Sequence, residues 1–237
     1  MFNWNKKEKP FASFGGFGGG GLGLAGGAIS AKTYVDDVFS TYLYEGSSTA
    51  QPIPNGVDLT EGGLIWIKKR DTSGSHSLTD TVTGINKNLI TNNTNSQATD
   101  ADRITTVSSG NGFTLYGNGT NVNTSGDDFV SWTFRKAPGF FDIVTYTGNG
   151  SSGLRSINHN LGSTPAFIII KYLDGGSQWY CWHKDLTSKN YYILLNDNGA
   201  QGNAGTQVWD ATDTTFSIHS GVAGNGTGEN FVAYLFA

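Results

Sequence analysis

The sequence predicts an all-β protein: two tandem antiparallel β-sandwich domains of jelly-roll-like type, produced by an internal duplication and preceded by an extended glycine-rich arm. Three observations carry this expectation. Blocks of sequence recur in the same order about 100 residues apart, the apolar runs are short and separated by turn signals, and one charge-free stretch near the amino terminus is crowded with glycine.

The arm is taken first, as residues 1–35. Phe11 to Ala31 holds no charge and nine glycines in 21 residues, flanked by Lys6, Lys7 and Lys9 before and Lys32 after. The length suits a membrane span, but glycine in a helix costs about 1 kcal/mol each relative to alanine, and few large apolar side chains remain to drive insertion. The same argument tells against a secretory signal. Glycine-spaced matches such as Gly21, Gly23 and Gly26 have no strand before them and no helix after, so they do not mark a dinucleotide site. Phe2, Trp4, Phe11, Phe14 and Phe17 are spaced along a backbone of low steric demand. They are expected to dock into a partner, whose surface offsets the entropy of ordering the segment.

The duplication follows. Thr41, Tyr42, Gly46, Ser47, Ser48 and Ile53 recur as Thr145, Tyr146, Gly150, Ser151, Ser152 and Ile157, an offset of 104. Leu64 to Lys68 recurs as Phe167 to Lys171 and Phe113 to Leu115 as Phe216 to Ile218, both at 103, and Gly126 to Phe134 recurs as Gly228 to Phe236, at 102. Solenoid and propeller repeats run about 20–50 residues, so the duplicated unit is a whole domain. The expected repeats are 36–137 and 138–237, divided where Pro138 and Gly139 interrupt two strand patterns. Within each, runs rich in Ile, Val, Thr and aromatic residues lie between turn signals such as Asn55-Gly56, Asn149-Gly150 and Asn225-Gly226, which read as strands and hairpins. Asp185 to Leu195 comes nearest to a helical period and is equally readable as a turn plus strand. The closing strands, Phe129 to Phe134 and Phe231 to Phe236, offer apolar groups to both faces and so are expected deep in their sheets.

Composition excludes several classes. With 34 glycines, 37% apolar, 13% aromatic and 14% charged residues and a net charge of −4, the chain is neither collagen-like nor disordered. It has no basic excess for nucleic acid. The single cysteine, Cys181, excludes an internal disulfide and fits assembly in a reducing cytosol.

Chemistry-bearing motifs are sparse. His76, His159, His183 and His219 lack metal-ligand spacing and read as turn or surface residues. Cys181 and His183 share a strand face, geometrically a nucleophile and base, although a small buried thiol in a core strand is the much more common case. The carboxylate pairs Asp36/Asp37, Asp100/Asp102, Asp127/Asp128 and Asp210/Asp213 lie mostly beside Gly, Ser and Thr and read as turn caps. No catalytic residue, metal or cofactor is expected. Trp179, Tyr180 and Trp182 have no counterpart in the first unit. One face of their strand must be core; the other, with Tyr180 and Trp182, reads as core packing, a subunit contact or a stacking platform for sugar rings.

Taken together, AKTYVDDVFSTYLYEG, GGLIWIKKRD, DDFVSWTFRKAPGFFDIVTYTGNG, the SINHNLGSTPAFIIIK block and the closing NFVAYLFA resemble a family of virion structural proteins of tailed phages of marine bacteria, including cyanophages. The resemblance covers essentially the whole chain. It implies a non-catalytic virion protein assembled in the host cytoplasm, a tail fibre, appendage or host-contact element held in the particle by its arm. The alternatives are a head decoration or minor capsid protein, and a carbohydrate-binding module. The implied partners are other virion proteins, further copies of the chain, with a trimer favoured, and a host surface glycan.

Overall fold

The computed structural model describes residues 33–108, 112–117, 119–220, 222 and 224–237. The arm residues Phe2, Trp4, Phe11, Phe14 and Phe17 lie outside the described residues. The first unit opens on a single helical turn, α1 (Val35–Val38), which passes directly into β1 (Phe39–Glu45). It continues through β2 (Gln51–Ile53), a 3-10 turn (Leu59–Glu61), β3 (Gly63–Lys69), β4 (Ser77–Asp80), β5 (Lys87–Ile90), β6 (Ala98–Thr99), β7 (Ile104–Ser108), β8 (Gly112–Leu115) and β9 (Asp128–Arg135). The second unit comprises β10 (Phe141–Thr147), β11 (Leu154–Asn158), β12 (Phe167–Tyr172), β13 (Tyr180–His183), β14 (Tyr191–Leu194), β15 (Gly202–Asn203), β16 (Trp209–Ala211), β17 (Thr215–His219) and β18 (Asn230–Phe236).

The strand order is the same twice. A six-stranded sheet β1-β9-β3-β4-β5-β6 faces a three-stranded sheet β2-β8-β7, and β10-β18-β12-β13-β14-β15 faces β11-β17-β16. Every pairing is antiparallel, and the architecture is all-β, two sandwiches in sequence. The outer wrap is jelly-roll-like, since first pairs with last and second with next-to-last. From β3 onward the large sheet is a meander, because the short connections between β3, β4, β5 and β6 keep them side by side. β9 and β18 are interior strands, each bonded on both edges, as their two-faced apolar pattern requires. Asp185 to Leu195 resolves as turn plus strand.

The register corrects the sequence alignment at one place. Phe39 pairs with Phe134, and Phe141 pairs with Phe236, so Phe141 is the counterpart of Phe39 and Tyr146 that of Tyr44, an offset of 102. Tyr44 stacks on Phe129 at 5.3 Å and Tyr146 on Phe231 at 5.3 Å, the same contact in each unit. The offset of 104 begins only at Ile53 and Ile157, opposite Phe113 and Phe216. Two residues are therefore inserted in the loop after β10, and the recurrence of Thr-Tyr and Gly-Ser-Ser at 104 is a chance echo.

Each sandwich has its own core. Tyr44, Ile53, Ile65, Ile67, Phe113, Leu115 and Phe129 fill the first, and Ile168, Ile170, Trp182, Trp209, Phe216 and Phe231 the second. A third apolar layer lies between the two large sheets, where Leu64, Leu78 and Leu89 meet Phe141, Ile143, Ile169, Trp179, Cys181, Val232 and Tyr234. The central strands of both large sheets are thus covered on both faces, giving a stack of small, large, large and small sheets. The units are joined by a tight turn in which Gly139 takes φ +70° and Ala137 bridges to Phe141. The flanking rings Phe134, Phe140, Phe141 and Phe236 pack together there at centroid distances of 4.8–6.3 Å.

A buried asparagine closes each sandwich at the crossing from large sheet to small. Asn123 accepts from the Ser47 amide (2.9 Å) and donates to the carbonyls of Thr49, Tyr116 and Gly117. Asn225 accepts from the Asn149 amide (3.1 Å) and Arg155, and donates to Ser151. The chains approach so closely here that a Cβ on Gly46 would lie 2.1 Å from the Thr124 carbonyl oxygen. Asn225-Gly226, which reads as a hairpin turn in sequence, is therefore a clamp built from a side chain.

Candidate functional site

Trp179, immediately before β13, and Trp182 within it are covered on opposite faces of the strand. Trp179 is fully buried between the units, where its Nε1 donates to the carbonyls of Ile90 and Asn93 at 3.1 Å each. Trp182 is buried in the second sandwich core. Only Tyr180 keeps appreciable exposure, and its ring leans on Tyr192 at 5.3 Å. Of the readings open from the sequence, core packing holds for both indoles, and neither can serve as a stacking platform for a sugar ring.

Cys181 is fully buried in the same layer, and burial pushes its thiol up to about 12. His183 instead accepts the Asp185 amide at Nδ1 (3.2 Å), so the strand does not assemble an activated thiolate. His159 is buried rather than on the surface, accepting the Leu161 amide at Nδ1 and contacting the Thr212 carbonyl through Nε2. Asp37 caps the Tyr34 amide (2.7 Å) and Asp100 that of Asp102 (3.2 Å), whereas Asp127 is paired with Lys69 and Asp210 with Lys189. Among the described residues no three His, Cys, Asp or Glu side chains gather into a cluster able to hold a metal ion, and no helix is long and apolar enough to cross a membrane.

Polar side chains do converge along the seam between the units, where the sequence gives no local signal. Asp80 is buried at the end of β4 and accepts from the amides of Val82 and Thr83, the Thr83 hydroxyl, and Tyr234 Oη of the second unit at 2.8 Å. Burial pushes the Tyr234 phenol well above its ordinary value, with the Asp80 charge adding to it. Lys171 is also buried; its Nζ donates to the carbonyls of Thr94 (3.0 Å) and Ser177 (2.6 Å) and lies 5.6 Å from the Trp179 ring. Desolvation pulls its ammonium down to about 8. Main-chain bonds from Gln97 to Leu173 (2.9 Å) and from Ser177 to Thr94 (2.8 Å) complete the join.

Beside this seam an open groove of about 600 Å³ lies between Lys87 and Gln97 of the first unit and Thr145, Thr147, Asp174 and Asn230 of the second. Gln97 Nε2 bonds Thr83 (2.9 Å), and Thr147 bonds Asn230 (3.0 Å). Its lining has one amine, one carboxylate and several hydroxyl and amide groups, all able to make polar contacts. Sequence reasoning missed it because its walls come from separate segments, around Thr83 to Gln97, Thr145 to Thr147, Leu173 to Asp174 and Asn230 to Phe231.

The sequence model of the family described as "Domain of unknown function (DUF7483)" matches residues 35–237, both sandwiches and the seam together. The chain belongs to the DUF7483 family. No curated protein and no solved structure matches it. The DUF7483 match begins at α1, so the glycine-rich arm precedes the family region.

Proposed function

We propose that this DUF7483 protein is a non-catalytic structural component of a phage virion, held in the particle by its amino-terminal arm and presenting the paired sandwiches as a fibre, appendage or host-contact element. The observation that carries the reading is the join between the units. Two sandwiches share an apolar layer of fully covered side chains, with buried polar bonds across it, so the pair is built as one stiff body rather than as domains hinged around a catalytic cleft. The sequence resemblance to virion proteins of marine tailed phages points the same way, and the buried thiol and capped carboxylates suit a scaffold. Homo-oligomerisation and the arm's insertion among other virion proteins belong to the same proposal.

Removal of residues 1–31 tests it. The truncated chain should remain soluble and folded yet fail to join particles; incorporation at the full-length level would refute the anchoring role. Copy number separates a tail position, with a handful to tens per particle, from a head decoration, with hundreds.

A further inference from the structure

The duplicated sheets are covered unequally. In the second unit the seam reaches the edge strand, because Phe141 and Ile143 of β10 are buried in it. In the first unit the shared layer is formed by β3, β4 and β5, with Trp66 and Phe134 packed at its margin, and β1 reaches that margin through Phe39, whose ring lies 4.8 Å from that of Phe134. Tyr42 and Tyr44 of β1 point into the first sandwich, so Thr41 and Leu43 point to the opposite face. There Leu43 is 57% exposed and lies opposite Val130, while Thr41 lies opposite Trp132. Trp132 in turn pairs with Trp66, ring centroids 6.1 Å apart, and both indoles are only half-buried. The counterparts of Trp132 and Trp66 in the second unit, Tyr234 and Ile169, are buried, and Leu43 is replaced there by Thr145, an exposed polar residue. A lone exposed leucine needs no explanation; a leucine continuous with two half-open tryptophans, where the duplicate is either covered or polar, marks a surface made to be covered. Among the described residues β1 is also an edge strand of seven residues, bonded to β9 alone, with neither a proline nor a lysine to blunt it.

We propose that this face is the docking site of the same chain's own amino-terminal segment, within residues 11–31, in the free protein. The segment's position argues for it. It ends at the residues leading into α1, which enters β1 with no linker, so 32 residues are tethered at the margin of the uncovered face. A tether of that kind gives an effective concentration on the order of millimolar. The segment carries no charge, and Gly21-Leu22-Gly23-Leu24 alternates so that an extended chain places both leucines on one side and only glycine on the other. Such a strand can follow the β1 edge and continue the apolar surface beyond Leu43. The inference concerns the unassembled protein and stands or falls independently of the virion proposal.

The test uses the full-length chain with the photocrosslinking amino acid p-benzoylphenylalanine in place of Leu43, a position open enough to accept it. Irradiation of the dilute protein followed by peptide mass spectrometry should join position 43 to the tryptic peptide ending at Lys32, in a band of monomer size. Adding Leu22→Asp and Leu24→Asp should cut that product by at least about tenfold, since the two buried leucines together contribute more than the 1.4 kcal/mol that a factor of ten represents. The same probe in place of Thr145 should give none of it. Crosslinks to this peptide only in a dimer-size band, which would assign the face to a second copy, or no crosslink to it at all, would overturn the proposal.

Discussion

Removing one oxygen at the seam measures how strongly the two sandwiches are joined. In Tyr234→Phe the ring stays in place and the hydrogen bond to Asp80 at 2.8 Å is lost. Asp80 keeps its other donors, the Val82 and Thr83 amides and the Thr83 hydroxyl, so the carboxylate is not stranded. A hydrogen bond to a charged group contributes about 1.5–3 kcal/mol, and the remaining donors place the expected loss near the middle, about 2 kcal/mol. With a urea slope of about 2–3 kcal/mol/M, the midpoint should fall by about 0.7–1 M in a single transition followed by tryptophan fluorescence. Tyr116→Phe, at an exposed site, should move it by less than about 0.5 kcal/mol. The pH dependence gives a second reading. The folded-state value of Tyr234 is raised, so its contribution is complete below the unfolded value near 10 and is lost as pH rises beyond it, when only the unfolded phenol ionises. The deficit of Tyr234→Phe should therefore shrink above about pH 10. An unchanged midpoint, or two separate transitions in the parent protein, would refute the shared layer as a source of cooperativity.

Three further outcomes follow from the same geometry. Asn123→Ala and Asn225→Ala should each cost about 1–3 kcal/mol in denaturant unfolding, because the first leaves four main-chain groups and the second two without their side-chain partner; a loss below about 0.5 kcal/mol would remove the clamp role. Lys171, whose value burial lowers to about 8, should make the parent protein gain stability between about pH 8 and 10, where the unfolded amine still binds a proton that the folded one has released; Lys171→Met should abolish that gain, and a parallel pH profile would contradict it. Cys181 should resist a thiol-specific disulfide reagent at pH 8 in the native protein and react only on unfolding; rapid stoichiometric labelling of folded protein would contradict its burial.

The strands of strong pattern were legible in the sequence, and the arrangement of layers was not. Phe167 to Lys171 and Phe231 to Phe236 carry apolar groups on both faces, and they lie in the interior of a stack. The neighbouring run Trp179 to His183 carries rings at both parities, the same signal of two-sided burial, which would have placed both Trp179 and Trp182 inside. β2, β6 and β15 span three, two and two residues, too short for any alternation to register. Asp80 and Lys171 look like ordinary surface charges until the pairing of the two large sheets covers them. The groove likewise exists only once Lys87 and Gln97 are brought beside Thr145, Asp174 and Asn230.

The proposed virion role is tested most directly by quantitative mass spectrometry and cryo-electron microscopy of phage particles purified from lysates that contain the chain. The expected result is the full-length protein at a fixed copy number per particle, with density for two joined sandwiches outside the particle and the arm leading inward. Its absence from particles, with the protein found only free in infected cells, would contradict the reading.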